Sequence, residues 1–270
     1  MTVADLSPVY FDGEAYEQFN GRWSRMSGRD FIAWLSVPSH SRWLDVGCGT
    51  GALCEVILER CAPNECVGVD MAEVQLSYAR SRHRGGNVRF QRDDALALSF
   101  AENEFDAAVS AYVINFFADP RDMAAEMKRV VRPSGMVAAC TWDFAGNRAV
   151  AQHIGAAFAA RSLPSLQRAT AAQNAGSTRP AAMEQIFRDV GLRDVATVSI
   201  DTRVRFKDFD DYWHSNADLS SSFNGLFSEL TGADRERFKA EVRALLPIGA
   251  DGSIQYDVGT VAVKGYVPDS

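Results

Sequence analysis

The sequence predicts an α/β fold with a mostly parallel sheet, and three observations carry that prediction. From residue 41 onward, short apolar runs alternate with amphipathic stretches. The stretch WLDVGCGTGAL, Trp43 to Leu53, passes from strand-like to glycine-rich to helical within eleven residues. FDAAVSAYVI is almost wholly apolar, as a strand buried on both faces must be. Strands and helices alternating at this spacing pair in parallel through right-handed crossovers.

The elements follow in order. RWLDVG reads as the first strand and GALCEVILERC as a helix with Leu53, Val56, Ile57 and Leu58 turned inward. ECVGVD is the second strand, ending at Asp70; MAEVQLSYARSR is a helix and NVRFQRDD the third strand. FDAAVSAYVI is the fourth. Asp119-Pro120 caps and opens the next helix, because proline is tolerated at the first helical position. That helix runs through RDMAAEMKRVV and stops at Pro133-Ser134-Gly135, before the fifth strand, MVAACTWDF. AVAQHIGAAFAARSL follows as a helix, and LPSLQRATAAQNAGSTRP as a variable connection. PAAMEQIFRDVGL is a helix closed by Gly191. RDVATVSIDTRVRF is the sixth strand and IQYDVGTVAVKGYV the last. No internal repeat is visible. The expected organisation is one domain over 1–270: N-terminal cap helices in 1–35, βα units in 40–206, a helical cap insertion in 207–248 and a final strand in 253–267.

Bulk properties narrow the function. A chain of 270 residues, 47% of them apolar, is long enough for one well-buried core. A formal charge of −7 argues against a nonspecific grip on nucleic acid or an anionic membrane. The first residues lack a basic leader with an apolar core, and no apolar run reaches membrane-spanning length. The five cysteines are odd in number and sit in apolar segments, which suits reduced thiols and a cytoplasmic location. Cys61 and Cys66 lack a second ligand pair, so no metal is expected.

The glycine loop poses the question of its ligand. Ligands of open α/β sheets bind beyond the carboxyl ends of the strands. Asp45, the loop glycines, Asp70, Asp94 and Ala111 all fall at such ends. Glycines let the backbone turn sharply and come close to a ligand. Asp70 suits both hydroxyls of a ribose. Gly47-x-Gly49-x-x-Ala52 fits a dinucleotide, but a carboxylate just ahead of the loop repels a pyrophosphate. S-adenosylmethionine has no phosphate and carries an ammonium and a sulfonium. Asp45 suits that ammonium, directly or through water, Asp94 the adenine amino group, and the Ala95 N–H a ring nitrogen. The acids favour S-adenosylmethionine.

These stretches resemble the class I methyltransferases, particularly the bacterial group called methyltransferase domain type eleven. The likeness rests on LDVGCGTG, the acid of VGVD, RDDALALSFAENEFDAAVS and EMKRVVRPSGMVAAC, over about residues 40–143. Outside it, GRWSR, WDFAG, FDDYW and LPIGADG look like an uncharacterised bacterial subgroup. The resemblance implies a Rossmann-like, seven-stranded, mostly parallel sheet with helices on both faces. Its last strand should be antiparallel and enter between the fifth and sixth. It assigns the methionine moiety to Asp45, Gly47 and Gly49 with the backbone of Ala111, and Cys48 and Gly51 of the same loop join the cofactor-binding candidates. It assigns ribose to Asp70, adenine stacking to Met71, and the adenine edge to Asp94 and Ala95, with Asp93 the neighbouring alternative. Similar enzymes fold the N-terminal segment over the cofactor, which makes Tyr16 and Arg22 candidates for its carboxylate.

Methyl transfer is an in-line displacement that needs a base only when the nucleophile must lose a proton. No catalytic residue is assigned; His153 and His214 are possible bases. Tyr112, Asn115 and Phe116 follow the fourth strand, and Trp142 and Asp143 the fifth, so these five are the candidates for the acceptor side. For FDDYW, Phe209 to Trp213, a helix cap with a packing face is favoured over a substrate wall. The sequence after the fourth strand reads AYVINFF and lacks the Asn/Asp-Pro-Pro-aromatic motif of enzymes that methylate nucleic-acid amino groups. The expected function is therefore S-adenosylmethionine-dependent methylation of a small molecule. The alternatives are a non-catalytic binder of that cofactor and a nicotinamide-dependent oxidoreductase.

Overall fold

The computed structural model describes residues 17, 21–83, 85–146, 148–160, 178–218, 227 and 230–269. Along the chain these form α1 (Arg22–Leu35), β1 (Arg42–Val46), α2 (Ala52–Cys61), β2 (Glu65–Asp70), α3 (Glu73–Arg82), β3 (Val88–Arg92) and β4 (Phe105–Ala111). Then come α4 (Pro120–Val130), β5 (Val131–Trp142), α5 (Gln152–Ala159), α6 (Pro180–Asp189), β6 (Arg193–Phe206), α7 (Phe209–Trp213), α8 (Gly232–Leu245) and β7 (Ile254–Tyr266).

The seven strands make one sheet in the order β3-β2-β1-β4-β5-β7-β6. Neighbours from β3 to β5 are parallel, whereas β7 runs antiparallel to both β5 and β6. The strand order reverses between β1 and β4, so a crevice opens above their carboxyl ends. The sheet is covered on both faces, hence the unbroken apolar runs of its central strands. One face packs Trp43, Val109, Cys140 and Ala262 against α1, α2 and α5 side chains such as Phe31, Ile57 and Phe158. The other packs Leu44, Ala108, Val137 and Val263 against Met123 and Met127 of α4 and Met183 and Phe187 of α6.

Local signals set the ends of these elements. The Asp119 carboxylate accepts the Arg121 N–H, and Pro120 opens α4. After α6, Gly191 adopts φ +76°, its N–H reaches the Arg188 carbonyl and the Leu192 N–H reaches Phe187, which is a complete left-handed helix stop. Two boundaries differ from the sequence reading. α4 ends at Val130 rather than at Pro133, because Val131 already pairs with Phe105 as the start of β5. A register shift between Phe105 and Ala107 accommodates Pro133-Ser134-Gly135 inside the strand. β4 stops at Ala111 rather than Ile114, because Tyr112 turns left-handed at φ +64°.

Phe187 is fully buried on the face away from the crevice. Phe187→Ala should lower stability by about 3–5 kcal/mol in a urea titration, as a large cavity in a two-sided layer does; a loss below 1 kcal/mol would show that this layer collapses around the gap.

Candidate functional site

The loop after β1 is held by its own backbone. The Gly47 and Cys48 N–H groups both donate to the Val69 carbonyl, at 2.8 and 2.9 Å, and Gly51 donates to Cys48 at 2.9 Å. Gly47 (φ +77°) lies so close to Val113 that a Cβ would sit 2.4 Å from its Cγ2. Gly51 (φ +82°) opens α2 against the Phe90 ring. Both positions exclude a side chain, by conformation and by space. Cys48 turns its buried thiol down toward β2, where the missing side chain of Gly68 makes room: a Cβ there would lie 2.9 Å from Sγ. The Cys48 side chain, expected at the ligand, thus lies in the core beneath the loop.

The four predicted acids have distinct settings. Asp45 is 1% exposed, beneath the loop, and accepts the Cys54 thiol at 3.2 Å. Burial, reinforced by repulsion from Asp70, pushes its pKa up to about 7. Asp70 is half-buried and accepts the Gly49 N–H at 2.9 Å and the Ala72 N–H at 2.8 Å, so it ties the end of β2 to the loop. Burial raises its pKa, against the opposing pull of those N–H groups. Beyond β3 the two adjacent acids divide the work. Asp93 closes a turn by accepting the Ser99 N–H and hydroxyl. Asp94 is exposed and accepts the Leu96 N–H at 2.9 Å. Met71 and Ala95 are half-buried beside them. Leu96, absent from the sequence candidates, is 43% exposed; an apolar residue two places after the acid was the available signal.

At the β4 and β5 exits, Tyr112 stacks on Trp142 with ring centroids 4.4 Å apart. The Tyr112 hydroxyl meets Ser27 of α1 and Thr260 of β7. A tyrosine held left-handed is costly, and such strain gathers at functional sites. Ala111 immediately precedes it, half-buried at the end of β4. Asn115 is buried and accepts the Thr141 hydroxyl, while Phe116 is half-buried. The Asp143 carboxylate, expected at the acceptor side, accepts the Gly146 N–H of its own turn.

The N-terminal segment, expected to be part of a cover, reaches the loop through a residue that sequence reasoning missed. Glu17 accepts the Thr50 hydroxyl and pairs with Arg25, which also binds Glu55 of α2. Tyr16 lies outside the described residues. Arg22, expected at the cofactor carboxylate, instead gives its terminal nitrogens to Asp211 and Ser215 of the second cover segment. Its guanidinium lies over the Trp23 and Phe206 rings. In FDDYW, Asp208 caps the helix from just outside, and Phe209, Tyr212 and Trp213 are buried. His214 is exposed beside Asp218, whereas the His153 ring meets Tyr256 edge-on. Among the described residues, no three His, Cys, Asp or Glu side chains gather as a metal site. No helix among them is long and apolar enough to cross a membrane.

Comparison with known proteins agrees with this geometry. Residues 44–139 match the methyltransferase domain family. A demethylmenaquinone methyltransferase of Thermus thermophilus is 42% identical over 96 residues, 35% of this chain and 44% of that protein. A 2-phytyl-1,4-naphtoquinone methyltransferase of Synechocystis is 29% identical over 154 residues, covering 53% of this chain and 62% of that one. The chain thus spans about half the length of the curated relatives it matches. Phosphoethanolamine N-methyltransferase 2 of Haemonchus contortus, solved with S-adenosyl-L-methionine, superposes with a TM-score of 0.60 at 15% identity, covering 95% of this chain and 56% of that one. Residues 44–139 thus match the methyltransferase domain family, and the seven-stranded sheet shares its fold with that solved methyltransferase.

Proposed function

We propose that the chain binds S-adenosylmethionine above β1, β2 and β3 and transfers its methyl group to a small molecule. The observation that carries this reading is the setting of Asp45. It is a buried acid that accepts a thiol and whose charged neighbour is a second acid, so a cation is what stabilises its ionised form. The residues fit the cofactor. Asp45 faces its ammonium end through the thin glycine loop of Gly47, Gly49 and Gly51, with the Ala111 backbone opposite. Asp70 takes the ribose hydroxyls, and Met71 and Leu96 offer apolar surface to adenine. Asp94, exposed where Asp93 is spent on its turn, accepts from the adenine amino group, and the Ala95 N–H meets the ring edge.

When bound, S-adenosylmethionine supplies a methyl group on a positively charged sulfur, an electrophile that needs no metal. The protein's part is to orient and to exclude water. The Tyr112–Trp142 stack, fixed by Ser27 and Thr260, forms a rigid wall at the β4 and β5 exits, beside Asn115 and Phe116. The quinone methyltransferase names of the relatives support a small acceptor, and the net charge of −7 speaks against a nucleic-acid one.

Calorimetric titration with S-adenosylhomocysteine tests the reading: the wild type should bind it, and Asp70→Ala should abolish binding. Unchanged affinity would remove Asp70 from the site, and no binding by the wild type would remove the function. Asp45 adds a pH signature. Its folded pKa lies above the unfolded value, so its contribution to stability is complete near pH 4 and is lost as the pH rises to about 7. Relative to Asp45→Asn, the ligand-free protein should lose up to about 4 kcal/mol across that window. Parallel denaturation profiles for the two proteins would refute it.

A further inference from the structure

The glycine loop is fastened from two sides, and the two fastenings do different things. From the β2 side, the Val69 carbonyl takes the Gly47 and Cys48 N–H groups and the Asp70 carboxylate takes the Gly49 N–H. Those bonds already determine the backbone path of the loop. From the other side, Glu17 Oε1 accepts the hydroxyl of Thr50 at 2.5 Å, and Thr50 is 1% exposed. Since the path of the loop is set without it, this side-chain bond serves to hold the N-terminal segment against the loop.

Glu17 is itself held in place. Its second carboxylate oxygen pairs with the Arg25 guanidinium, whose Nε donates to Glu55 Oε2 at 2.7 Å. The Glu17, Arg25 and Glu55 side chains are 14%, 17% and 27% exposed, so solvent and salt screen these pairs weakly. Arg82 Nη2 stands 3.8 Å from Glu55 and extends the row, which alternates acid and base throughout. Thr50 belongs to the loop and Glu55 to the first turn of α2, so the row ties the N-terminal segment down at two points. The same segment borders the crevice elsewhere, because Ser27 of α1 meets Tyr112 at the β4 exit. That contact lies within a helix packed closely on α2, where a Cβ on Gly28 would come 3.2 Å from Leu53. Glu17 precedes α1, so its tie can part without unpacking the helix.

We propose that Glu17 is a positioning residue that latches the N-terminal segment to Thr50 and gates the passage of the cofactor into and out of the crevice. Glu17 grips protein groups alone, the Thr50 hydroxyl and Arg25. A contact that does not distinguish the bound from the free state changes the rates of exchange and leaves the equilibrium where it was. The proposal rests on the reading that S-adenosylmethionine occupies the crevice above the loop, and adds to it the control of its exchange.

The test follows association and release of S-adenosylhomocysteine on the full chain by surface plasmon resonance, with thermal unfolding measured alongside. Thr50→Val keeps the shape of the side chain and removes its donor. Gly21→Ala leaves every latch residue in place but sets a Cβ 2.6 Å from Glu17 Oε1, which pushes the flexible carboxylate aside. Gly21 has φ −59° and ψ −40°, helical values that alanine adopts readily, so this variant should unfold no earlier than the wild type. Each variant should speed association and release alike by about tenfold, the size of one hydrogen bond to a charged group, with the dissociation constant held within about twofold. Thr50→Ser, which restores the hydroxyl, should return both rates to those of the wild type. Where Thr50→Val lowers the unfolding temperature, Gly21→Ala decides. Wild-type rates in Gly21→Ala overturn the latch and leave the methyl-transfer reading standing. Faster release without faster association also overturns it, since Glu17 would then support the bound state rather than gate it. A wild type that takes up no S-adenosylhomocysteine removes the reading and the latch together.

Discussion

The site depends on a short set of hydrogen bonds between the glycine loop and the end of β2. The Val69 carbonyl accepts two loop N–H groups and the Asp70 carboxylate a third, so the loop cannot lift without exposing three donors. That arrangement fixes the left-handed path through Gly47, Gly49 and Gly51, opens α2, and seals Asp45 beneath. Asp70 therefore braces the loop, and in the proposed function it is also the acid offered to the ribose. A buried carboxylate is expensive in a low dielectric, and it is tolerated because neutralisation is available to it near neutral pH.

The sheet was legible in the sequence because its physics is local. Burial on both faces demands unbroken apolar runs, and Gly191 and Asp119-Pro120 announce helix ends by chemistry confined to a few residues. The strand-end acids were legible for the same reason: a carboxylate closing an apolar run has no structural purpose that the run itself explains. The boundaries that differed turn on tertiary partners. Val131 joins β5 only because Phe105 is there to pair with it. The left-handed Tyr112 is held by Trp142, Ser27 and Thr260, which lie 30, 85 and 148 residues away.

The cover was the part the sequence concealed. Periodicity tells which face of a helix is apolar but not which loop its polar residues meet. Arg22 and Glu17 lie five positions apart, yet Glu17 goes to the glycine loop and Arg22 to Asp211. Nothing in GRWSR distinguishes these destinations. Cys48 shows the same limit at smaller scale, since its inward turn is permitted by the bare Cα of Gly68 on a different strand.

The reversed insertion of β7 has a consequence for how the molecule assembles. β5 and β6 do not touch; every rung between them is supplied by a strand made after both. During synthesis, half of the sheet must wait with open edges until the segment from Ile254 emerges. That same segment carries Tyr256 and Thr260, so the crevice gains its far wall in the act that completes the sheet. Contacts this distant along the chain form slowly, and they couple maturation of the crevice to closure of the last hydrogen-bonded ladder.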